Sequence, residues 1–168
     1  MLELLRPRLY VESIHNIDLR ELKRRGIKAI CCDLDNTLVP WASDQAHPEL
    51  IAWLQAVRDA GLEVFLVSNA VPRRLQHFLQ LLGVRGIAKA GKPRRRAFLQ
   101  ALAELNLPAR QVALVGDQIF TDVLGGNRVG MYTILVVPLS RQEFIGTRLV
   151  RQLERLVLRQ LRLNHGKG

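Results

Sequence analysis

Cysteine and aromatic residues are scarce in this sequence, and no apolar run is long. Its 168 residues include two cysteines, Cys31 and Cys32, which are adjacent and lie in an apolar stretch. A bridge between neighbouring cysteines is badly strained, so a disulfide framework is excluded and a cytoplasmic location is expected. No segment approaches the roughly 20 apolar residues that a membrane-spanning helix needs, and the N-terminus lacks a signal-peptide core. We expect neither export nor membrane insertion.

Negative charge is also in short supply. The chain has 25 lysine and arginine residues against 15 aspartate and glutamate residues, a formal net charge of +10. This excess predicts anionic partners without identifying them. A basic nucleic-acid or ribosome-binding module is one alternative, but aromatic residues make up only 5% of the chain. Because the stacking-aromatic signature of an RNA-binding sheet is missing, nucleic acid is not the favoured partner.

The chain does have a regular alternation of apolar runs and helical patterns. Apolar runs predict buried parallel strands at 28–34, 62–68, 111–116 and 131–137, with 86–89 as a candidate fifth strand. Helical patterns lie at 48–60, 72–82, 93–105 and 122–128. This alternation predicts an α/β fold with a doubly wound, mainly parallel sheet, in which ligands bind at the carboxyl ends of the strands.

The length and the 48% hydrophobic content predict one domain over residues 1–168. We place its core at about 28–138. Residues 1–27, with a helix that starts near Asp18, are expected outside this core. A basic amphipathic helix is predicted at about 141–163, with one face formed by Leu149, Leu153, Leu156, Val157 and Leu161 and the opposite face by Arg151, Arg155, Arg159 and Arg162. Such a helix either packs its apolar face on the domain or lies on an anionic membrane.

Two pairs of aspartates follow predicted strands. Asp33 and Asp35 come directly after the first strand, so that one carboxylate can attack while the other transfers protons. A carboxylate attacks a phosphate dianion poorly unless a cation screens the repulsion, so we expect a divalent metal ion. Asp117 and Asp122 follow a later strand and offer the hard oxygen ligands that Mg²⁺ prefers. Asp33 and Asp117 are the expected primary ligands.

Residues suited to phosphate binding end or follow two further apolar runs, those at 62–68 and 86–89. Ser68 and Asn69 end the second predicted strand, where a hydroxyl and the backbone amides of a helix start can hold phosphate oxygens. Lys92 can supply the remaining positive charge, with Lys89 as its rival. Each motif alone is more often a cap or a turn. Their convergence at strand ends favours catalysis.

Four segments together resemble the motifs of the haloacid dehalogenase superfamily: Asp33-Leu-Asp-Asn-Thr-Leu, Ser68-Asn, Lys92-Pro and Gly116-Asp-Gln-Ile-Phe-Thr-Asp. The resemblance covers about residues 28–138. Stretches such as Arg6 to Ile14 and Gly125 to Met131 are similar to capless phosphatases of subfamily IIIA, the phosphatidylglycerophosphate phosphatase-like family. The resemblance therefore implies a phosphatase.

The resemblance also implies a role for each motif residue. Asp33 would form an aspartyl-phosphate, and Asp35 would protonate the leaving oxygen, later activate water and offer Mg²⁺ its backbone carbonyl. The remaining residues would bind rather than react: Ser68, Asn69 and Lys92 the phosphoryl group, Asp117 the metal ion, and Asp122 the metal ion or its ligands. Transport ATPases of the superfamily carry threonine at the position of Asp35, so this residue favours phosphatase chemistry.

The spacing of the motifs indicates an open site. About 30 residues separate Thr37 from Ser68, which leaves no room for a sizeable cap domain. Arg73-Arg74 and Arg94-Arg95-Arg96 are predicted in first helical turns, where the helix dipole disfavours cations, so an anionic ligand is expected to compensate. The expected partner is a phosphomonoester substrate, with phosphatidylglycerophosphate as the leading candidate. For this substrate we expect a peripheral contact between the basic C-terminal helix and the inner membrane surface. A phosphatase for soluble sugars, nucleotides or proteins is the alternative.

Overall fold

A six-stranded sheet lies at the centre of the computed structural model, which describes residues 2–140 and 145–161. Its strands are Leu9–Val11 (β1), Ala29–Cys32 (β2), Glu63–Val67 (β3), Arg85–Ile87 (β4), Val112–Gly116 (β5) and Tyr132–Val136 (β6). They lie in the order β1-β6-β5-β2-β3-β4, and every neighbouring pair is parallel. The predicted doubly wound α/β fold is confirmed.

Helices cover both faces of this sheet. They are Leu19–Arg24 (α1), Pro48–Asp59 (α2), Pro72–Leu82 (α3), Arg95–Leu105 (α4), Leu124–Val129 (α5) and Ile145–Gln160 (α6). A π-helical turn, Ile119–Val123, leads into α5. Proline opens α2 and α3, where its fixed φ suits a helix and its missing N–H is not needed. No helix of the described residues is both long and apolar enough to cross a membrane.

Successive side chains of the strands face two different hydrophobic cores. Ile30 and Cys32 of β2 face the core that contains α1, α2 and α3. Ala29 and Cys31 of the same strand face the core that contains α4. Because β2 is buried on both faces, it is a continuous apolar run rather than an alternating pattern. This central strand ends directly before Asp33.

The sheet extends further than the sequence predicts. Residues 1–27 are expected outside the core, but β1 pairs with β6 along Ile134–Val136 and forms an edge of the sheet. That expectation is wrong for β1, because a three-residue edge strand is too short to show a hydrophobic period. The predicted helix near Asp18 is present as α1, and the Asp18 side chain caps it by accepting hydrogen bonds from two backbone amides.

The C-terminal helix is present as α6, but its inward face differs from the predicted one. Leu153 and Leu156 are 51% and 59% exposed, whereas Glu154 is buried and Arg151 is partly buried. Packing of the apolar face on the domain, one of the two expected outcomes, is therefore not observed for Leu153 and Leu156, although Leu161 is buried. Residues 141–144 and 162–163 of the prediction lie outside the described residues, and so does the side chain of Leu149.

Candidate active site

The predicted motifs meet at the carboxyl ends of three adjacent strands. Asp33 follows β2, Ser68 follows β3 and Asp117 follows β5. The strands β2, β3 and β4 follow one another outward across the sheet. The chain then crosses back to β5, which lies on the other side of β2. Ligands of doubly wound folds bind where the strand order reverses in this way. The topology thus places Asp33 and Asp117 on the two sides of this reversal.

An open cavity of about 580 Å³ lies at this position, and its lining includes Asp33, Asp35, Ser68, Asn69, Arg74 and Lys92. A second cavity of about 730 Å³ lies beside α6 and is lined by Asp117, by Arg151 and other residues of α6, and by apolar residues at and after the end of β6. The second cavity is the larger, but the first contains the predicted nucleophile and the phosphate-binding side chains. We therefore assign the chemistry to the cavity at Asp33.

Three buried aspartates and one buried lysine form the centre of the site. Asp33, Asp117 and Asp122 each offer a carboxylate oxygen, and these oxygens lie within 4.8 Å of one another. Lys92 Nζ lies 2.9 Å from Asp33 Oδ1 and 2.6 Å from Asp122 Oδ1. Burial alone lowers the pKa of Lys92, but its ion pairs with Asp122 and Asp33 outweigh this and raise the pKa above its usual value. Lys92 is therefore a permanent cation at the carboxylates.

The acidic cluster fits a hard divalent cation. Burial raises the pKa values of Asp117 and Asp122 above those of exposed aspartates, although Arg151 and Lys92 oppose the shifts. The neighbouring Asp33 carboxylate raises both pKa values further, so these acids lie close to another negative charge, and carboxylate oxygens suit Mg²⁺. Thr37 Oγ1 donates a hydrogen bond of 2.9 Å to Asp117 Oδ1 and so orients this carboxylate.

Asp122 is held in place by the turn that contains it. Its Oδ2 accepts a hydrogen bond of 3.2 Å from the backbone amide of Gln118, while its Oδ1 contacts Lys92. A Cβ atom on Gly116 would lie 2.2 Å from Asp122 Cγ, so glycine is needed for this close approach. Because Asp122 is paired with Lys92, it orients the site in addition to being a candidate metal ligand.

Ser68 and Asn69 lie where the sequence predicts, but Asn69 has a contact of its own. Its Oδ1 accepts a hydrogen bond of 3.0 Å from the backbone amide of Lys92, which connects the loop after β3 to the loop after β4. Ser68 is buried, and its Oγ accepts a hydrogen bond of 3.1 Å from Ala70 N. Lys89 lines a separate small cavity with Arg96, so Lys92 is the lysine at the acids.

Asp35 has a partner that sequence reasoning missed. Arg74 Nη2 donates to Asp35 Oδ1 at 2.7 Å, although the sequence assigns Arg74 to a bound anion. Burial raises the pKa of Asp35, and Arg74 opposes this rise. The only sequence signal was the placement of a cation in the first turn of a helix. Arg73 and Arg94-Arg95-Arg96 are exposed.

The helix α6 supplies two more polar groups that the sequence did not reveal. Arg151 contacts both the Oδ2 atom and the backbone oxygen of Asp117. Glu154 Oε1 accepts a hydrogen bond of 2.6 Å from the amide of Ile119, and its Oε2 lies 3.0 Å from Arg151 Nη1. Glu154 is the one acidic residue between positions 144 and 168, which was the available signal. The two residues fasten α6 to the turn behind the acidic cluster.

Comparison with known proteins gives one family. The model of the haloacid dehalogenase-like hydrolases matches residues 39–130. A protein from Bacillus subtilis described as probable phosphatase YqeG is 43% identical over 93% of this chain and 91% of its own length. Phosphatidylglycerophosphate phosphatase 1 of Chlamydomonas reinhardtii is 31% identical over 88% of this chain, and that of Arabidopsis thaliana is 30% identical over 96%. The chain spans 59% and 49% of the lengths of these two relatives.

Solved structures share the fold at low sequence identity. The cobalt-bound deoxy-D-mannose-octulosonate 8-phosphate phosphatase of Haemophilus influenzae has a TM-score of 0.56 and 17% identity, over 82% of this chain and 90% of its own. The 3-deoxy-D-manno-octulosonate 8-phosphate phosphatase of Yersinia pestis has a TM-score of 0.52 and 16% identity, over 82% of this chain and 84% of its own. At this identity the likeness concerns the fold alone.

Proposed function

The chain belongs to the haloacid dehalogenase-like hydrolases and is a phosphatase of that superfamily, and we propose that it hydrolyses phosphomonoesters through an aspartyl-phosphate on Asp33. The observation that carries this proposal is that Asp33 and Lys92 line one open cavity, while the carboxylate oxygens of Asp117 and Asp122 lie within 4.8 Å of that of Asp33. A carboxylate nucleophile, a permanent cation and a metal-binding set of oxygens are the groups that phosphoryl transfer needs.

We assign Mg²⁺ to the carboxylates of Asp33 and Asp117 and the backbone carbonyl of Asp35, with Asp122 orienting the site through Lys92. When bound, Mg²⁺ screens the negative charge that the nucleophile and the phosphoryl oxygens bring together. Lys92 Nζ and Ser68 Oγ bind the phosphoryl oxygens from the protein side. The hard, buried oxygen donors of the cluster support this choice of metal.

The reaction has two displacements at phosphorus. In the first, an Asp33 carboxylate oxygen bonds to phosphorus, the bond from phosphorus to the leaving oxygen breaks, and Asp35 gives that oxygen a proton. In the second, water attacks the phosphorus of the aspartyl-phosphate while Asp35 takes the proton of the water. Inorganic phosphate leaves and Asp33 returns as a carboxylate, so protons and charges balance over the cycle.

A lipid headgroup is the substrate that we favour, with phosphatidylglycerophosphate as its specific form. Two relatives that are 31% and 30% identical have names with this substrate. The cavity at Asp33 is open, so a substrate attached to a large apolar body has access. Trp41 and Val71 line the cavity and are 40% and 58% exposed, which provides apolar surface beside the reacting groups.

A peripheral contact between α6 and an anionic membrane accompanies this substrate in our proposal. Leu153 and Leu156 are exposed on α6, and Arg155 and Arg159 are exposed near them. Exposed leucines beside arginines suit the boundary between acyl chains and anionic headgroups. Flotation with vesicles that contain phosphatidylglycerol is expected to carry the protein, and Leu153→Ser with Leu156→Ser is expected to reduce the bound fraction.

The test of the proposed function is phosphate release with and without Mg²⁺. Phosphatidylglycerophosphate in mixed micelles is compared with soluble sugar, nucleotide and peptide phosphates. We expect Asp33→Asn to abolish turnover of every substrate, a loss of at least about 10³-fold, because the amide keeps the shape but cannot attack. Asp59→Asn, a change of the same kind on exposed α2, is the control and should retain wild-type rates.

The outcomes separate the parts of the proposal. Hydrolysis of soluble esters alone, lost in Asp33→Asn, would keep the mechanism and reject the lipid substrate. Full activity in Asp33→Asn would reject the mechanism. A folded wild-type protein that hydrolyses none of the esters but binds nucleic acid in a salt-dependent manner would favour the binding module instead.

A further inference from the structure

Arg74 fixes one oxygen of Asp35 and leaves the other available. Its Nε and Nη2 atoms both donate to Asp35 Oδ1, at 2.9 and 2.7 Å. Within the described part of the chain, the structure gives Asp35 Oδ2 no hydrogen-bond partner. Both side chains are mostly buried, with 22% and 23% of their surface exposed, so water screens the pair only partly.

The guanidinium group of Arg74 is itself held from other sides. Its Nη1 atom donates a hydrogen bond of 2.7 Å to the backbone oxygen of Ser43, and its Cζ atom lies 5.2 Å from the centre of the Phe78 ring. These contacts restrain the long side chain to one position. Since Arg74 is held by the loop before α2 and by α3, its partner carboxylate is held by the same elements.

The location of Arg74 is unfavourable for a cation without this partner. Arg74 lies in the first turn of α3, near the positive end of the helix dipole, and that turn has no acidic residue. Asp35 supplies the missing negative charge from another part of the chain. A cation placed against a local rule, with its planar group aimed at a proposed acid, indicates a functional requirement.

We propose that Arg74 is the positioning residue for proton transfer by Asp35, an inference that rests on the proposed function. By binding Oδ1, Arg74 orients the carboxyl group so that Oδ2 carries the proton that passes to the leaving oxygen as the bond to phosphorus breaks. Arg74 keeps its own protons and its charge throughout, and it does not touch the substrate. Its effect therefore depends on how much the leaving oxygen needs a proton.

The dependence on the leaving group gives a readout that a purely structural role would not change. An alkoxide is a poor leaving group and needs protonation, whereas 4-nitrophenolate leaves without it. We compare kcat/KM for 4-nitrophenyl phosphate with kcat/KM for the alkyl phosphate that the wild-type protein hydrolyses fastest. The ratio kcat/KM reports the steps up to transfer to Asp33 and is independent of the later attack by water.

Arg74→Gln is expected to lower kcat/KM for the alkyl ester by about 10- to 100-fold and for the aryl ester by less than about threefold. Arg74→Lys should restore part of the loss, since it keeps the charge but not the two-donor geometry. The matched control is Arg20→Gln, at an exposed position in the first turn of α1, which should stay within about twofold for both esters. Circular dichroism and the Tm of each variant confirm folding.

A double-mutant cycle with Asp35→Asn decides how Arg74 acts. If Arg74 works through Asp35, Arg74→Gln adds little further loss in the Asp35→Asn background. An equal loss for both esters, or a full additional loss in the double variant, would overturn the proposal and indicate that Arg74 binds substrate directly. Failure of the proposed function itself is recognised separately, because Asp33→Asn would then leave the hydrolysis of both esters unchanged.

Discussion

Some residues of this protein are needed for reasons that a motif match does not show. Gly116 is the clearest example, because it occurs in the motif Gly-Asp but is needed for space. Its missing side chain allows the Asp122 carboxylate to approach β5 and reach Lys92. Replacing the hydrogen atom of Gly116 with a methyl group therefore disturbs the arrangement of charges in the site.

Gly116→Ala is expected to destabilise the fold by about 1–3 kcal/mol and to lower turnover, because the added Cβ atom meets Asp122 at 2.2 Å. Urea unfolding and phosphate release provide the measurements. The same substitution combined with Asp122→Gly should destabilise less than the sum of the single changes, since the Asp122 side-chain atoms that the added Cβ meets are then absent. Strict additivity of the two substitutions would contradict the proposed steric cause.

The sequence indicated which candidate residues lie near one another better than it indicated their contacts. Asp33, Asp117, Asp122, Ser68 and Lys92 were identifiable because each comes after a strand or in its following loop. The partners Arg74, Arg151 and Glu154 were not, because they come from helices whose facing is set by tertiary packing. An arginine on an amphipathic pattern resembles a solvated residue until its carboxylate partner is placed in space.

At the scale of elements, α6 depends on polar contacts as well as on apolar packing. Val157 and Leu158 pack against Ile119, Val123 and Leu135. Glu154 satisfies the backbone amide at the start of the π-helical turn and pairs with Arg151. A buried amide without an acceptor is costly, so this contact determines how the helix lies.

Glu154→Ala is expected to lower the free energy of unfolding by about 1–3 kcal/mol, because it leaves the Ile119 amide without its acceptor and removes one of the acceptors of Arg151. Hydrogen exchange of the Ile119 amide should accelerate, which reports the local loss directly. Arg155→Ala on the exposed side of α6 is the control, with a change within about 0.5 kcal/mol. Equal unfolding midpoints for the two variants would show that α6 is not fastened through Glu154.

The elements that the sequence predicted correctly had either a clear helical period or a long apolar run. The helix predicted at 72–82 is observed as α3, Pro72–Leu82, with left-handed Gly83 as its end. The strands predicted at 111–116 and 131–137 are observed as β5, which starts one residue later, and β6, which is one residue shorter at each end. The three-residue strand β1 was missed, since its pairing depends on a partner more than a hundred residues away in the chain.

At the scale of the whole molecule, the buried acids connect stability to pH and to metal. Burial raises the pKa of Asp117 to about 6 and that of Asp122 to about 7, from 3.8 in the unfolded chain. At pH values between the unfolded pKa of 3.8 and the folded pKa of about 6 or 7, the folded protein binds more protons than the unfolded chain does. The stability that these protonated acids provide is complete below about pH 4 and is lost as the pH rises through about 6 to 7.

We therefore expect the contribution of these acids to weaken the metal-free protein as the pH rises from about 4 to about 7. Mg²⁺ needs the ionised carboxylates, so the stabilisation that it adds should grow over the same pH range. Denaturant unfolding at several pH values, with Mg²⁺ or with a chelator, measures both trends. Asp117→Asn should flatten both, and a Mg²⁺ effect that is independent of pH would contradict the assignment.

The position of β1 at the edge beside β6 has a consequence for synthesis on the ribosome. The four strands β2 to β5 are neighbours in space and follow one another along the chain, so they can assemble while translation continues. The strand β1 precedes these four in the chain but must wait for β6, which follows them. During that interval the nascent chain carries an unpaired strand ahead of a forming domain, which is a segment that chaperones can bind.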